Sequence, residues 1–281
     1  MRIRLTDVAI SLIAIILIVW VMAPVYNMVV TSLLTYEEVW ETHLWPPNPT
    51  IEPYIEVLTQ RYFRVNLFWT WFGNSIKFAL LVSLLSLTVS VLYGYAISNK
   101  STLSQKVKNL FNTLSVITYI FPSALLAIPI FILMMYYNLL NTDIAVTLSL
   151  SILTIPFNSW MAAQYFNSMP RELKEAAEID GASTTTYLFR ILLPVAAPML
   201  VAIFTYSFMF TWNNYLYPLL LLNEDAKFPL QIGMSSFLAA DDSPWNIFMA
   251  TAIIYALPPV VLYYAFRKYM ISGLFRGAVK G

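Results

Sequence analysis

Pro170-Arg-Glu-Leu-Lys-Glu-Ala-Ala-Glu-Ile-Asp-Gly-Ala-Ser183 is an island of charge in an otherwise apolar chain. Arg171, Glu172, Lys174, Glu175, Glu178 and Asp180 crowd into its first eleven positions. On one side Ile144–Pro170 runs 27 residues without a charge, and on the other Ile191–Asn223 runs 33. Working outward, the same silence holds over Val8–Tyr36, Phe78–Asn99, Asn109–Thr142 and Ser243–Phe266. A helix needs about 20 apolar residues to cross ~30 Å of hydrocarbon at 1.5 Å per residue. Each run is long enough to span once and none to span twice, so the spacing predicts an all-α membrane protein with six transmembrane helices.

Composition excludes the other classes. Of the 281 residues 59% are hydrophobic and 11% charged, against roughly 25% charged in an average soluble domain. Too little ionic surface remains to cover such an apolar interior in water, and disorder requires low hydrophobicity. The 16 Lys and Arg nearly balance the 15 Asp and Glu, so nothing suggests nucleic acid as a partner. With no Cys there is neither a disulfide framework nor a thiolate metal site. The first run could be a secretory signal behind Arg2 and Arg4, but Val8–Val30 exceeds a signal core and no small-residue cleavage site follows, so it reads as a retained helix.

Lys and Arg set the orientation. Twelve of them fall on one side, in the segments holding Arg2 and Arg4, Lys100 to Lys108, Arg171 to Arg190 and Arg267 to Lys280. At most four (Arg61, Arg64, Lys77 and Lys227) fall on the other. Both termini are therefore expected in the cytoplasm of a multi-pass cell-membrane protein. The external segments are acidic, with Glu37, Glu38, Glu41, Glu52 and Glu56 in one and Glu224, Asp225, Asp241 and Asp242 in another. In the first, Trp45-Pro-Pro-Asn-Pro49 and Glu52-Pro-Tyr54 read as a stiff extended path, either resting on the membrane surface or docking a soluble protein.

Nine prolines fall within the spans, from Pro24 to Pro259. Each removes a backbone donor, tolerated in a bundle where neighbours or a wet cavity satisfy the freed carbonyls. No span carries Asp, Glu, Lys, Arg or His, and the single His43 lies in an external loop. Proton pumps and voltage sensors keep such groups at membrane depth, so driving energy has to enter from elsewhere.

The charged island supplies a route. Pro170 suits a first helical turn and Gly181 an end, with good helix formers between, which predicts three turns over about 170–181. Leu173, Ala176 and Ala177 share a face that Gly181 extends, small enough for another protein to approach the backbone. An amphipathic helix on the inner leaflet is the alternative, but that needs basic and bulky apolar residues, where this segment offers small ones and four acids.

Glu175-Ala-Ala177, three residues, Gly181, nine residues, Ile191, one residue and Leu193-Pro194 match the EAA loop at every fixed position. The chain thus resembles the membrane subunits of binding-protein-dependent ABC importers. Phe210-Thr-Trp-Asn-Asn-Tyr-Leu-Tyr-Pro-Leu219 is similar to a segment of carbohydrate-uptake permeases. Gly277-Ala-Val-Lys-Gly281 resembles the end of the smaller, maltose-transporter-type permease, although Phe275-Arg276 replaces small residues expected there. The resemblance covers about 74–281.

That likeness implies the type I importer permease fold: a first helix with its external loop over 1–71, a five-helix core over 72–270 and a cytoplasmic tail over 271–281. It implies a second, similar permease subunit, two ABC ATPase subunits and an external solute-binding protein. Glu175, Ala176, Ala177, Asp180, Gly181 and Ala182 would couple to the ATPases, and Lys280 and Gly281 would reach them from the tail. The chain lacks a glycine-rich phosphate loop ending in Lys-Ser/Thr, so it is expected not to be an enzyme, to bind no cofactor and no metal, and to leave ATP and Mg to its partners. A sugar path would use Asn158, Trp160, Trp212, Asn213 and Asn214, residues that interfacial belts and helix packing also employ. The cargo could instead be a polyol or glycerol phosphate. An ion-coupled secondary transporter would need inverted repeats or intramembrane charges, and an intramembrane enzyme would need acids, metal ligands or a nucleophile within the spans.

Overall fold

The computed structural model describes residues 5–98, 104–235, 237 and 244–278. Thirteen α-helices occur among the described residues, and no strand. The long ones are α1 (Leu5–Ser32), α3 (Phe68–Ser98), α4 (Gln105–Ile120), α6 (Asp143–Asn167), α10 (Ala197–Trp212) and α13 (Trp245–Ala278). The shorter ones are α2 (Glu52–Leu58), α5 (Ala127–Tyr136), α7 (Glu172–Ile179), α8 (Thr184–Thr186), α9 (Leu193–Val195), α11 (Leu216–Leu221) and α12 (Leu230–Ser235). A π-helical turn, Tyr187–Leu192, joins α8 to α9.

Four of these helices, α1, α3, α6 and α13, are long and apolar enough to cross a membrane. Two of the runs read as single spans are bent pairs. The Asn109–Thr142 run is α4 and α5 meeting at 97°, and the run from Ile191 feeds a 76° bend between the α8–α9 segment and α10. Proline accounts for both breaks. Pro122 follows the end of α4 and offers no N–H to continue the ladder. Pro194 and Pro198 lack the N–H groups that an α-helix would give to the carbonyls of Arg190 and Pro194. Pro24, Pro156, Pro258 and Pro259 sit inside unbroken helices.

The described chain falls into two compact units, one drawn from Met1–Trp69 and Gly233–Leu257, the other from Thr70–Ile232 and Pro258–Gly281. In the first, the large apolar side chains of α1 from Ile10 to Met22 are each more than half exposed. A helix greasy all round suits hydrocarbon, not water. Of the external stretches read as extended, Trp45–Pro49 lies outside any helix, whereas Glu52-Pro-Tyr54 instead opens α2, with Pro53 in its first turn, where a missing N–H costs nothing. Asn246 of α13 donates to the Leu34 carbonyl at 3.0 Å and ties the end of α1 down.

The second unit is organised by the seam between α3 and α6. Ser86 and Thr154 share a hydrogen bond of 2.6 Å, and Ser159 donates to Ser90 at 3.3 Å. One turn further along α3 comes Gly94. A Cβ there would lie 2.6 Å from the Ala162 Cβ and 2.8 Å from its carbonyl carbon. The helices approach closely because only the Ala162 methyl stands at the contact, which is how membrane helices gain dispersion energy without a hydrophobic drive. Asp143, at the start of α6, pairs with Lys77 of α3 at 2.8 Å, so Lys77 sits within the helix as half of an ion pair.

Beyond that pair, the start of α3 holds the loop that follows α11. Trp71 Nε1 donates to the Asp225 carbonyl (2.7 Å), Asn74 to the Ala226 and Phe228 carbonyls, and the Leu230 amide to Ser75 Oγ (2.8 Å). Lys227 Nζ bonds Glu224 at 3.1 Å, and Asn141 donates to the same carboxylate. These two bonds, Lys227 first, hold the Glu224 carboxyl below its usual range.

Two outcomes follow from this unit. Gly94→Ala would push against the Ala162 methyl and rigid backbone, so it should cost about 1–3 kcal/mol of overpacking; a thermal unfolding scan in detergent that shows no loss would refute the close approach. Because the Glu224 pKa is depressed, its contribution is complete above the ordinary carboxylate value and fades as pH falls through the depressed one. Hydrogen exchange over 138–142 and 223–228 should therefore quicken only below the ordinary carboxylate range, and Glu224→Gln should remove that acid dependence.

Candidate functional site

The charged island forms α7, shorter than the three turns the sequence suggests. Arg171 is its N-cap and Asp180 its C-cap, so Pro170 stands outside the helix and the eight residues extend ~12 Å at 1.5 Å each. Its end is sharply built. Gly181 takes φ +73°, its N–H reaches the Glu178 carbonyl at 3.1 Å, and the Ala182 N–H reaches back to Ala177 at 2.9 Å. This paired pattern is a Schellman motif, with glycine where the left-handed residue falls. Two residues later Ser183 Oγ accepts from the Thr186 N–H at 3.2 Å and starts α8. Between α7 and the π-turn the chain has little slack.

The small face is divided. Ala177 is buried (4% exposed) in a cluster with Val91, Ala162, Phe166, Tyr187, Leu188 and Leu192, and Leu173 and Ala182 pack against that cluster. These residues seat α7 on its own chain, so the face read as open to a partner is partly turned inward. Glu175, Ala176, Asp180 and Gly181 are exposed. So is Ile179, at 86%, which the sequence reading passed over. The signal was present: Glu172, Glu175, Ala176 and Ile179 recur at helical spacing, and an isoleucine among charges has no core to enter on that side.

Beside α7 lies a cavity of about 360 Å³ whose walls include Tyr95, Ser98, Arg171, Lys174, Glu178 and Tyr187. Lys174 and Glu178 pair across one turn at 3.5 Å. Glu175 also reaches its rim, so the exposed acid of α7 stands between the hollow and the outside. Among the described residues no group of His, Cys, Asp or Glu is placed to hold a metal ion.

The sequence profile of binding-protein-dependent transport system inner membrane components matches residues 94–276, which contain α7 and the cavity beside it. The chain belongs to that family. The arabinooligosaccharides transport system permease protein AraQ of Halalkalibacterium halodurans is 32% identical over 262 residues, 92% of this chain and 91% of that one. The sulfoquinovosyl glycerol transport system permease protein SmoH of Agrobacterium fabrum is 30% identical over 253 residues, covering 89% and 86%. In fold, the permease matches a chain of a bacterial ABC transporter that imports the acidic polysaccharide alginate, with a TM-score of 0.81 at 22% identity over 96% of this chain and 99% of that one. Its relatives are transport components, not catalysts.

The five residues proposed to line a path are scattered. Asn158 is fully buried, and its Nδ2 donates to Ser207 at 2.7 Å, pinning α6 to α10. Trp212 is 1% exposed, stacked on Phe208 at 5.5 Å and edge-on to Phe72. Asn213 is exposed and Asn214 half-buried, and both are engaged at the end of α10, with the Met209 carbonyl and the Tyr217 amide. Trp160 alone is half-buried beside other rings, 6.0 Å from Phe157. Lys280 and Gly281 lie outside the described residues.

The turn after α7 yields a direct test. Gly181→Ala meets no neighbour, so its cost is conformational alone, about 1–2 kcal/mol for an L-residue in the left-handed region. Hydrogen exchange at the end of α7 should accelerate with little change in the α3–α6 seam; an unchanged α7 would refute the capping account.

Proposed function

We propose that this permease forms half of the translocation pathway of an ATP-driven sugar importer and that α7 is its coupling helix. The observation that carries the reading is the division of α7 into a face locked to its own chain through Ala177 and a face that leaves Glu175, Ala176 and Ile179 exposed. An isoleucine so open on a charged helix suits a desolvated socket in another protein better than anionic headgroups, which four acids would repel. Two ATPase subunits carry ATP and Mg, a second permease completes the path, and an external binding protein delivers the cargo. Both termini then lie in the cytoplasm, as the Lys and Arg distribution requires.

The mechanism uses stiffness. Closure of the ATPase pair displaces α7, and the Schellman turn with the Ser183 cap leaves little loop to absorb that movement. The displacement passes through Ala177 to the end of α6, and through the π-turn to the bend before α10. The likeness to an arabinooligosaccharide permease supports a sugar as cargo, and the sulfoquinovosyl glycerol permease supports a polyol glycoside as the second choice.

Ile179→Asp and Glu175→Lys should each leave the permease inserted and assembled with its membrane partner while weakening retention of the ATPases. A buried apolar anchor lost to a charge costs on the order of 2 kcal/mol or more, which is more than tenfold in retention. Co-purification together with ATP-driven uptake into proteoliposomes reads both quantities. Undiminished attachment and uptake in both variants would overturn the coupling role.

A further inference from the structure

The hollow beside α7 opens where a membrane-length helix stops. α6 ends at Asn167, and the cavity of about 360 Å³ lies next to that end, walled by α7, by the end of α3 and by the π-turn. Its volume falls at the small end of ligand pockets, which run from roughly 300 to 1,000 Å³. Part of the lining is apolar: Phe166, Met169 and Leu192 contribute to it. Phe166 and Leu192 also belong to the cluster that seats Ala177.

Several polar groups around that apolar part have no partner within the chain. Tyr187 is only 8% exposed, yet its hydroxyl makes no hydrogen bond among the described residues. Buried phenols ordinarily find one. The hydroxyl of half-buried Tyr95, on the facing helix, is also without a hydrogen bond there. Of the four charged walls, Lys174 and Glu178 answer each other at 3.5 Å. Arg171 and Glu175 form no ion pair among the described residues. The hollow thus offers one open cation, one open carboxylate and two idle phenols beside an apolar surface, and its four charges sum to zero.

We infer that this cavity holds the headgroup of a zwitterionic phospholipid of the phosphatidylethanolamine class, drawn from the adjoining leaflet. The phosphodiester accepts from the Arg171 guanidinium, whose planar fork suits phosphate oxygens, and from the Tyr95 and Tyr187 hydroxyls. The primary ammonium carries three N–H donors and reaches Glu175 at the rim. A carboxylate has about four lone-pair sites, so Glu175 can take that bond and still face a partner outside. The glycerol end rests on Phe166, Met169 and Leu192. Free phosphate would set a like charge against Glu175, an anionic lipid would bring one charge too many, and a choline headgroup has no N–H to give. The occupant fills the space behind α7 and braces its seat, but its binding does not depend on the coupling role proposed above.

The test strips lipid from the complete importer in detergent and titrates it with dioleoyl phosphatidylethanolamine, phosphatidylcholine or phosphatidylglycerol, counting retained lipids by native mass spectrometry. One phosphatidylethanolamine should be held about tenfold more tightly than either competitor. Arg171→Gln and Tyr187→Phe should each weaken that one site about tenfold, as expected for a lost charge-assisted hydrogen bond, and Arg171→Lys should restore part of it. Tyr187→Phe keeps the buried ring, and the Arg171 side chain makes no capping bond to α7, so both variants should retain the wild-type unfolding temperature before lipid is added. Equal retention of the three lipids, or phosphatidylethanolamine retention unchanged in both variants, would overturn the site and leave only annular lipid. Tighter binding of phosphatidylglycerol would overturn the charge match. Equally effective displacement by water-soluble glycerophosphoethanolamine would overturn the lipid in favour of a soluble ligand.

Discussion

Contact between the α3 and α6 backbones at Gly94 sets the geometry of the larger unit. Ala162, which the missing side chain of Gly94 admits, belongs to the cluster in which Ala177 of α7 is buried. The same two residues of sequence thus fix one helix pair and present the surface on which α7 is seated. The seam has no hydrophobic drive within lipid, so its stability comes from close dispersion contact and from the Ser86–Thr154 and Ser90–Ser159 bonds, each modest on its own. Separate α3 from α6 by one methyl group and Val91, Phe166 and Ala177 lose their common neighbour.

That arrangement divides the unit into parts that resist bending and parts that invite it. The seam is continuous helix on both sides. Proline breaks lie outside it, at the α4–α5 corner and at the π-turn before α10. π-turns inside helical segments tend to occur at functional sites, and this one follows α7 by only a few capped residues. A displacement entering at α7 meets a rigid seam on one side and a bent, proline-interrupted segment on the other. On the proposed reading, motion should therefore concentrate in α10.

Much of this was legible in the sequence because charge is so scarce. Uncharged runs located every membrane-length segment, and the fixed spacing from Glu175 to Pro194 pointed to the family before any contact was known. The misreadings have a common physical origin. Charge counts cannot tell one straight span from a bent pair: the span prolines marked where bending could occur, but not its 97° and 76° extent. Residue type alone did not reveal that Asn158 and Trp212, whose polar or aromatic character suggested a path, are buried within this chain. In hydrocarbon a buried asparagine and a path-lining one look alike, since both need a partner and only the fold supplies its identity. Ile179 was missed for the opposite reason: an apolar residue draws no notice in a chain that is 59% hydrophobic.

The absence of ionisable groups from the spans bears on how such a chain can do work. A membrane field or a proton gradient acts on charge, and the described spans hold little of it: Lys77, within α3, is paired with Asp143. On the proposed reading, force arrives mechanically, through backbone that does not yield. A helix of eight residues is marginal alone, so its stiffness has to come from its ends and its seat. Here one end is closed by a glycine in the left-handed region, the next helix begins two residues later at Ser183, and one alanine is sunk into the bundle. A longer helix would be firmer alone but would reach further from that seat, and a larger residue at 177 could not sink so deep. Shortness, capping and the small buried side chain are thus one solution to a single mechanical requirement.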